Sequence, residues 1–340
     1  MMLDQNTFVP QKIVNRTRLL FDFLLKKDKT KGLPLEIGIE LTNKCNLACI
    51  MCPHQEIIKQ NLRPLGMMKF ALFKKIINEI KEFAELVYLH GMGEPLLNQK
   101  IIRFVKYAKS KNLRVALSTN ATLLDKDISQ KLIKANIDYI IFAVDGATKE
   151  TYEYIRVGAK LRKVEENIHD FLKFKARSRY KPFVVIQFIT MKANEKETNL
   201  FYHKWHKQKG INSVRVKPKI ALKKLDKRNK NKAVPYCFHI FRQLNIFYDG
   251  TVMACCEDVH AMYPLGDVKT DKLVSIWNNK KMRFLKQINF QRQRHKVKIC
   301  DNCNYPQPTK LQAVGTLLLD HLTVKKILPR FENKLKVGSR

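Results

Sequence analysis

Apolar positions in the middle of this chain follow two alternating periods. Compact runs of strand length occur at Leu35 to Leu41, Leu86 to His90, Arg114 to Thr119, Tyr139 to Val144, Phe183 to Thr190 and Val214 to Lys217. Between them, apolar residues recur at helical spacing. Phe73, Ile76, Ile77, Ile80 and Ala84 share one face of a helix expected over Phe70 to Leu86. Further helices are expected over Lys100 to Lys111, Asp127 to Ala135, Lys163 to Lys175 and Glu195 to Gln208. Leu19, Leu20, Phe23 and Leu24 recur at the same spacing near the N-terminus.

Six strands alternating with helices predict an α/β fold with a parallel sheet. Right-handed crossovers curl such a sheet into a barrel or part of one, here a partial (β/α)6 TIM-type barrel. Ligands of such sheets sit at the C-terminal strand ends. The expected divisions are a basic lead-in over residues 1–34 and the barrel over 35–218. A basic linker (219–234), a cysteine-bearing domain (235–310) and a helical, basic tail (311–340) follow. In the cysteine-bearing domain, Phe241 to Tyr248, the turn Asp249-Gly250 and Thr251 to Cys255 read as a hairpin.

A length of 340 residues, 45% of them hydrophobic, suits one large domain plus a smaller one. No run is apolar for long enough to span a bilayer, and Met1 to Lys12 lacks the features of a signal peptide. A cytoplasmic protein is expected. The eight cysteines then read as metal ligands rather than disulfides, in two groups split between the first and last thirds of the chain. The net charge of +35 would attract nucleic acid, an anionic membrane or a phosphorylated substrate. It equally fits a Lys-rich surface of solvated charges. No nucleic-acid motif accompanies it, so nucleic acid is not an expected partner.

Cys45-x3-Cys49-x2-Cys52 directly follows the first strand. Three thiolates on one short loop can ligate three irons of a [4Fe–4S] cube. The remaining iron is then open to a small molecule that chelates through an amine and a carboxylate. Zinc with a distant fourth ligand is the alternative, although zinc loops favour Cys-x2-Cys pairs. His54 reads as a solvated loop histidine, or else as a member of such a zinc site.

The three-cysteine motif resembles the signature of the radical S-adenosylmethionine (SAM) superfamily. Gly91-Met92-Gly93-Glu94-Pro95 ends the second strand and resembles that family's glycine-rich motif, in which backbone and the acidic residue meet the SAM amino group. Glycines allow close backbone approach, and a carboxylate pairs with an ammonium. Ser118-Thr119-Asn120, ending the third strand, is similar to the family's polar strand end that meets SAM. Val144-Asp145-Gly146 ends the fourth strand; the family usually has Ser two residues before this Asp, and Ala143 stands there instead. Arg156, in Thr151-Tyr152-x2-Ile155-Arg156, resembles the family arginine that holds the SAM carboxylate. Gln187 resembles a further SAM-contacting position. The resemblance thus implies a SAM site on Gly91, Gly93, Glu94, Ser118, Asn120, Asp145, Arg156 and Gln187, beside a [4Fe–4S] cluster on Cys45, Cys49 and Cys52. Without it, Asp145 is a turn residue before Gly146 and Arg156 an exposed helix charge.

Cys237, Cys255, Cys300 and Cys303 can supply four thiolates, and Cys300-x2-Cys303 is a common metal knuckle. Asp249-Gly250-x4-Cys255 resembles the Gly-x4-Cys signature of SPASM domains. Trp277, in Ser275-Ile276-Trp277-Asn278, resembles their helix between cysteines. With fewer cysteines than a full SPASM domain, the region resembles the shortened Twitch version, of the butirosin aminocyclitol dehydrogenase type. That implies one auxiliary [4Fe–4S] cluster. The Gly-x4-Cys pattern selects Cys255 as a ligand and leaves the role of Cys256 open. A zinc knuckle is the alternative for this site.

Four thiolates close a cluster, so electron transfer is its expected task. Together the resemblances imply a radical SAM oxidoreductase that cleaves SAM to a 5′-deoxyadenosyl radical and oxidises a hydroxyl-bearing sugar or aminocyclitol-like small molecule. They also imply an electron donor such as flavodoxin or ferredoxin. The basic linker, if it lies near the barrel mouth, favours an anionic substrate. A ribosomal peptide maturase is an alternative, although the chain before Leu35 leaves little room for a leader-binding domain. A lipid- or glycan-modifying enzyme in peripheral contact with a membrane is another, which the linker and Lys325, Lys326, Arg330, Lys334 and Lys336 favour. A non-catalytic iron–sulfur or zinc scaffold is the non-enzymatic alternative.

Overall fold

The computed structural model describes residues 10–218, 236–301, 303 and 307–318. The expected basic linker, with Lys219, Lys223, Lys224, Lys227, Arg228, Lys230 and Lys232, lies outside the described residues, as does the tail beyond Leu318.

The chain begins with α1 (Pro10–Leu24), β1 (Glu36–Ile39), α2 (His54–Lys59), α3 (Phe70–Ile80), β2 (Leu86–Tyr88) and α4 (Ile101–Lys109). It continues with β3 (Arg114–Thr119), α5 (Lys126–Lys134), β4 (Tyr139–Ala143), α6 (Lys149–Ile155), α7 (Leu161–Arg177), β5 (Phe183–Thr190), α8 (Thr198–His206) and β6 (Ser213–Pro218). The last part holds β7 (Gln243–Ile246), β8 (Thr251–Met253), β9 (Pro264–Asp267), α9 (Leu273–Trp277), α10 (Lys280–Phe290), α11 (Lys298–Asp301) and α12 (Lys310–Leu318). All six expected barrel strands form. The helices α2 and α6 were invisible to periodicity because each is about two turns or less. The helix expected to reach Leu86 ends at Ile80, since the chain turns through residues 81–83 before entering β2.

β1 to β6 run parallel in sequential order, as the alternation of strands and helices requires. The sheet does not stop at β1. Its order is β6-β5-β4-β3-β2-β1-β7-β8-β9. β7 pairs with β1 in parallel, Glu36 opposite Gln243 and Ile39 opposite Ile246. β8 and β9 follow as antiparallel strands. The expected hairpin therefore forms, but its first strand is also a barrel strand. The cysteine-bearing region extends the barrel's own sheet rather than standing apart from it.

Strands β1, β3 and β4 are almost wholly buried, because helices cover one side and the curled sheet the other. On the helical layer, Phe73 of α3 meets Phe104 of α4 with ring centroids 4.6 Å apart, tilted edge to face. Burying a side chain of this size stabilises the fold by about 1.5–3 kcal/mol. α1 lies across the N-terminal ends of the strands. Arg16 pairs with Glu85, which precedes β2 and also takes Arg114 at 3.2 Å. Phe23 packs edge-on against Phe238 and Phe241, each at 5.4 Å. The lead-in thus ties the barrel to the cysteine-bearing region.

Candidate functional site

β1 delivers the chain to the C-terminal rim, where the loop carrying Cys45, Cys49 and Cys52 is pinned on two sides. The backbone N–H of Ala48 donates to the carbonyl of Val157 (2.9 Å), and that of Ile50 to Ile155 (3.0 Å). On the other side the N–H of Glu94 donates to the carbonyl of Lys44 (2.9 Å). A Cβ on Gly93 would lie 2.4 Å from the carbonyl oxygens of Thr42 and Lys44. Only glycine lets the two segments come this close. Burial pushes all three thiols up, Cys45 to about 11; at Cys49 the nearby Arg156 cation works in the opposite sense.

Asp145 and Arg156 are neither a solvated turn residue nor an exposed helix charge. Both are buried. Arg156 donates from Nε to Asp145 Oδ2 at 2.8 Å, and its NH2 group stands 2.6 Å from the same oxygen. The third nitrogen, NH1, reaches the Cys49 sulfur at 3.8 Å. Asp145 Oδ1 accepts from the Ile189 N–H at 2.7 Å, which fastens the pair to β5.

Glu94 is buried as well, and burial raises its pKa against three opposing hydrogen bonds. It accepts from the Leu96 N–H (3.0 Å), Thr119 Oγ1 (2.7 Å) and the Asn120 N–H (2.8 Å). Asn120 spends its side chain on Asn46 and Thr122. Ser118, Gly91 and Gln187, by contrast, line an open cavity. The residues assigned to SAM by resemblance therefore fall into separate sets. Gly91, Ser118 and Gln187 face the cavity, while Glu94 with Asn120 and Asp145 with Arg156 form two separate hydrogen-bonded pairs outside its lining, and Gly93 packs on the cysteine loop. His54 also departs from expectation. It is buried in α2, with Nε2 donating to the Asn43 carbonyl at 2.7 Å.

In the second cysteine group, the N–H of Cys237 donates to Asn289 Oδ1 at 2.7 Å. Burial, aided by the charge of Cys255, pushes the Cys237 and Cys300 thiols up to about 12. Cys303 also raises Cys300, so the four thiols share one neighbourhood. Arg294, itself buried, opposes these shifts at Cys237 and Cys300. Cys256 is exposed, and its thiol lies against both the Cys255 thiol and Glu257. Among the described residues, no three Cys, His, Asp or Glu side chains are grouped to hold a metal ion. Thiolates on a cubane each sit on a different iron and stand further apart than ligands of one ion. Two sets of thiols, each beside a buried arginine, fit the charge of two such clusters.

The cavity measures about 600 Å³. It touches Met51 and Pro53, which flank Cys52, and Cys256, which follows Cys255. Its wall combines inward-facing positions of the barrel strands with Gln243 and Asn245 of β7. Gly38 on β1 makes room for the last of these: a Cβ there would lie 2.4 Å from Asn245 Oδ1. The wall's carboxylates are largely matched. Glu36 pairs with Arg242 (2.6 Å) and Glu40 with Arg63 (2.5 Å). On β6 the balance is cationic. Arg215 donates to the Tyr139 hydroxyl at 3.1 Å. Lys217 makes no hydrogen bond or ion pair among the described residues, and burial, aided by Arg215 and opposed by Cys256 and Glu257, pushes it down to about 8. Sequence read Lys217 as the end of the last strand and named neither it nor Arg215 as a site residue. The i, i+2 spacing of the two on one strand was the available signal.

Comparison with known proteins agrees with this geometry. The model of the radical SAM superfamily matches residues 39–197, and that of the SPASM iron–sulfur cluster-binding domain matches residues 237–304. The first implies a [4Fe–4S] cluster and SAM, the second auxiliary iron–sulfur clusters. The chain is 28% identical over 163 residues to the tungsten-containing aldehyde ferredoxin oxidoreductase cofactor-modifying protein of Pyrococcus furiosus, covering 47% of this chain and 44% of that protein. It thus spans less than half the length of the curated relatives it matches. The crystal structure of BtrN with AdoMet and 2-DOIA superposes with a TM-score of 0.52 at 20% identity, covering 80% of this chain and 93% of that one. That of anSMEcpe with bound AdoMet gives 0.61 at 16% identity, covering 88% and 99%. At these identities the likeness is one of fold.

Proposed function

We propose that this chain, which carries a radical SAM domain followed by a SPASM domain, is an oxidoreductase that dehydrogenates a small, hydroxyl-bearing, anionic substrate. The supporting observation is a cavity lined both by the flanks of Cys52 and by Cys256. A molecule held there lies between the two cysteine groups. When bound, the first cluster supplies the electron that splits SAM into methionine and a 5′-deoxyadenosyl radical, which takes a hydrogen atom from a substrate carbon. Arg156 would hold a compensating positive charge against Cys49, with Asp145 fixing the guanidinium plane. Arg215 and Lys217 would hold the anionic group of the substrate, since two neighbouring cations concentrate counter-charge at that part of the wall. The substrate radical loses its hydroxyl proton and one electron to give a carbonyl. Cys237, Cys255, Cys300 and Cys303 would hold the acceptor of that electron, one residue from the cavity wall at Cys256. An external donor such as flavodoxin or ferredoxin would supply the priming electron.

The test is anaerobic incubation of the reconstituted protein with SAM, a reductant and cell extract. One anionic metabolite should become lighter by two hydrogens, with 5′-deoxyadenosine formed in step. A mass-shifted peptide would assign a maturase instead. Failure to bind or cleave SAM would overturn the radical reading itself.

A further inference from the structure

α1 buries Leu19 and Phe23, but it shares that inward face with three polar residues and presents a second apolar stripe to solvent, where an ordinary surface helix is polar. Inward, Lys12 donates to the Asn112 carbonyl (2.8 Å), and Asn15 donates to the carbonyls of Leu33 (3.1 Å) and Phe83 (3.2 Å). Asp22 accepts from the Gly32 N–H at 2.7 Å. These bonds fix the helix's rotation, so the outward face is not a matter of loose docking. Outward stand Ile13, Val14, Phe21, Leu24 and Leu25, exposed by 42, 47, 58, 42 and 62%. Their i, i+1, i+8, i+11 and i+12 spacing makes one continuous stripe. α12 lies alongside, held where Arg16 donates to the Leu317 carbonyl at 3.2 Å, and adds exposed Leu311 and Leu318.

The charges around this stripe have one sign. From residue 10 to residue 31, every exposed charged side chain is a cation: Arg18, Lys26, Lys27, Lys29 and Lys31. The acidic residues of that stretch are otherwise engaged. Asp22 is buried, and Asp28 holds Arg283 (3.0 Å) and Gln287 (2.9 Å).

We propose that the outer face of α1, extended by α12, seats the protein on an anionic lipid surface. An apolar stripe flanked by lysines is what a bilayer interface with acidic headgroups recognises. The same charges argue against the other occupants. A second copy would bring the same cations face to face. The chain's own segment 319–340 carries Lys325, Lys326, Arg330, Lys334, Lys336 and Arg340 against few acids. No helix among the described residues is long and apolar enough to cross a membrane, so the contact is peripheral. The inference rests on α1 and α12 and does not depend on the chemistry proposed above. α1 lies across the N-terminal strand ends, opposite the rim that carries Cys45, so a docked molecule keeps that rim away from the lipid.

The test is co-sedimentation of the reconstituted full chain with vesicles of phosphatidylcholine alone and vesicles that also carry phosphatidylglycerol. Binding to the anionic vesicles is expected. Phe21→Ser with Leu25→Ser should weaken it about tenfold or more, since two exposed apolar side chains are lost without touching the core. Lys26→Gln with Lys27→Gln should weaken it at low salt, and the difference from the wild type should shrink as salt rises. Equal binding by wild type and the Phe21, Leu25 variant would assign the effect to net charge alone and overturn the proposal. So would dimerisation abolished by that variant with no vesicle binding, or binding that appears only when residues 319–340 are removed.

Discussion

Arg156 sets one guanidinium nitrogen 3.8 Å from the sulfur of Cys49, although the two are 107 positions apart in the chain. The opposite edge of the same guanidinium is held by Asp145. A buried cation is thereby aimed at a loop that must carry several negative thiolates. Arg156→Gln should leave Asp145 buried and uncompensated, at a cost of about 3–5 kcal/mol. It should also lower iron retention at the first site more than at the second. Arg156→Lys restores charge without the planar fork and should fall between. Thermal midpoint and iron per chain measure the two effects; unchanged iron retention in Arg156→Gln would remove Arg156 from the site.

The two cysteine groups should load independently. Reconstituted protein is expected to bind about eight irons, two cubanes of four. Replacing Cys45, Cys49 and Cys52 together with Ala should leave about half of that and abolish 5′-deoxyadenosine formation. A wild type that binds only about four irons, or zinc on Cys237, Cys255, Cys300 and Cys303, would count against the second cluster.

Gly93→Ala pushes a methyl into the carbonyls of Thr42 and Lys44, just ahead of Cys45. The loop must shift, so SAM cleavage should fall while the second site keeps its iron. Glu94→Ala strips the acceptor from three donors. Each buried donor left unsatisfied costs about 1–3 kcal/mol. If Glu94 also meets the SAM ammonium, affinity for SAM should drop about tenfold to a hundredfold. Lower stability with unchanged SAM affinity would confine Glu94 to holding β3 against the glycine motif.

Arg215→Gln with Lys217→Gln should raise KM for the true substrate about tenfold or more. The effect should shrink as salt rises, because screening weakens electrostatic capture in the wild type. The loss in kcat/KM should exceed any change in substrate-free SAM cleavage. A KM that is flat in both salt and variant would exclude an anionic group from this wall.

Lys286 lies fully buried under the Trp277 ring, 4.0 Å from its centroid, and burial pushes its pKa down to about 7. Above that pH the folded chain holds a neutral amine there, whereas the unfolded chain keeps its proton to about pH 10.4. The unfolded state then binds more protons, so this residue's contribution to stability rises with pH across that window. The cost of the buried charge is largest at and below about pH 7. Lys286→Met should flatten the slope of thermal midpoint against pH between about 7 and 9. An unchanged slope would place a charged Lys286 in the folded state.

Much of this protein was legible in its sequence because the signals are local. Strand and helix periods depend on neighbours within a turn or two, so the six barrel strands could be read from residues 35–218. The cysteine spacings were legible for the same reason: ligands on one loop must be close in sequence to be close in space. The glycine at position 93 was visible as a motif, but its steric reason was not. It lies in carbonyl oxygens about fifty residues away, which no local pattern reports.

Periodicity also does not say which way an element faces or whom it pairs with. In α1, an apolar stripe predicts an inward face, yet specific hydrogen bonds from Lys12, Asn15 and Asp22 turn part of that stripe outward. The Asp249-Gly250 turn marked a hairpin, but nothing near it shows that β7 also pairs with β1. The sequence by itself determined the parallel α/β order, both cysteine sets and the polar strand ends. Only the tertiary structure decided that one sheet runs through both regions, that Arg156 serves Asp145 and Cys49, and that Arg215 and Lys217 face the cavity. Those outcomes depend on which edge is left unpaired and which charge is left buried once the whole chain has closed, and both are set by contacts far apart in the sequence.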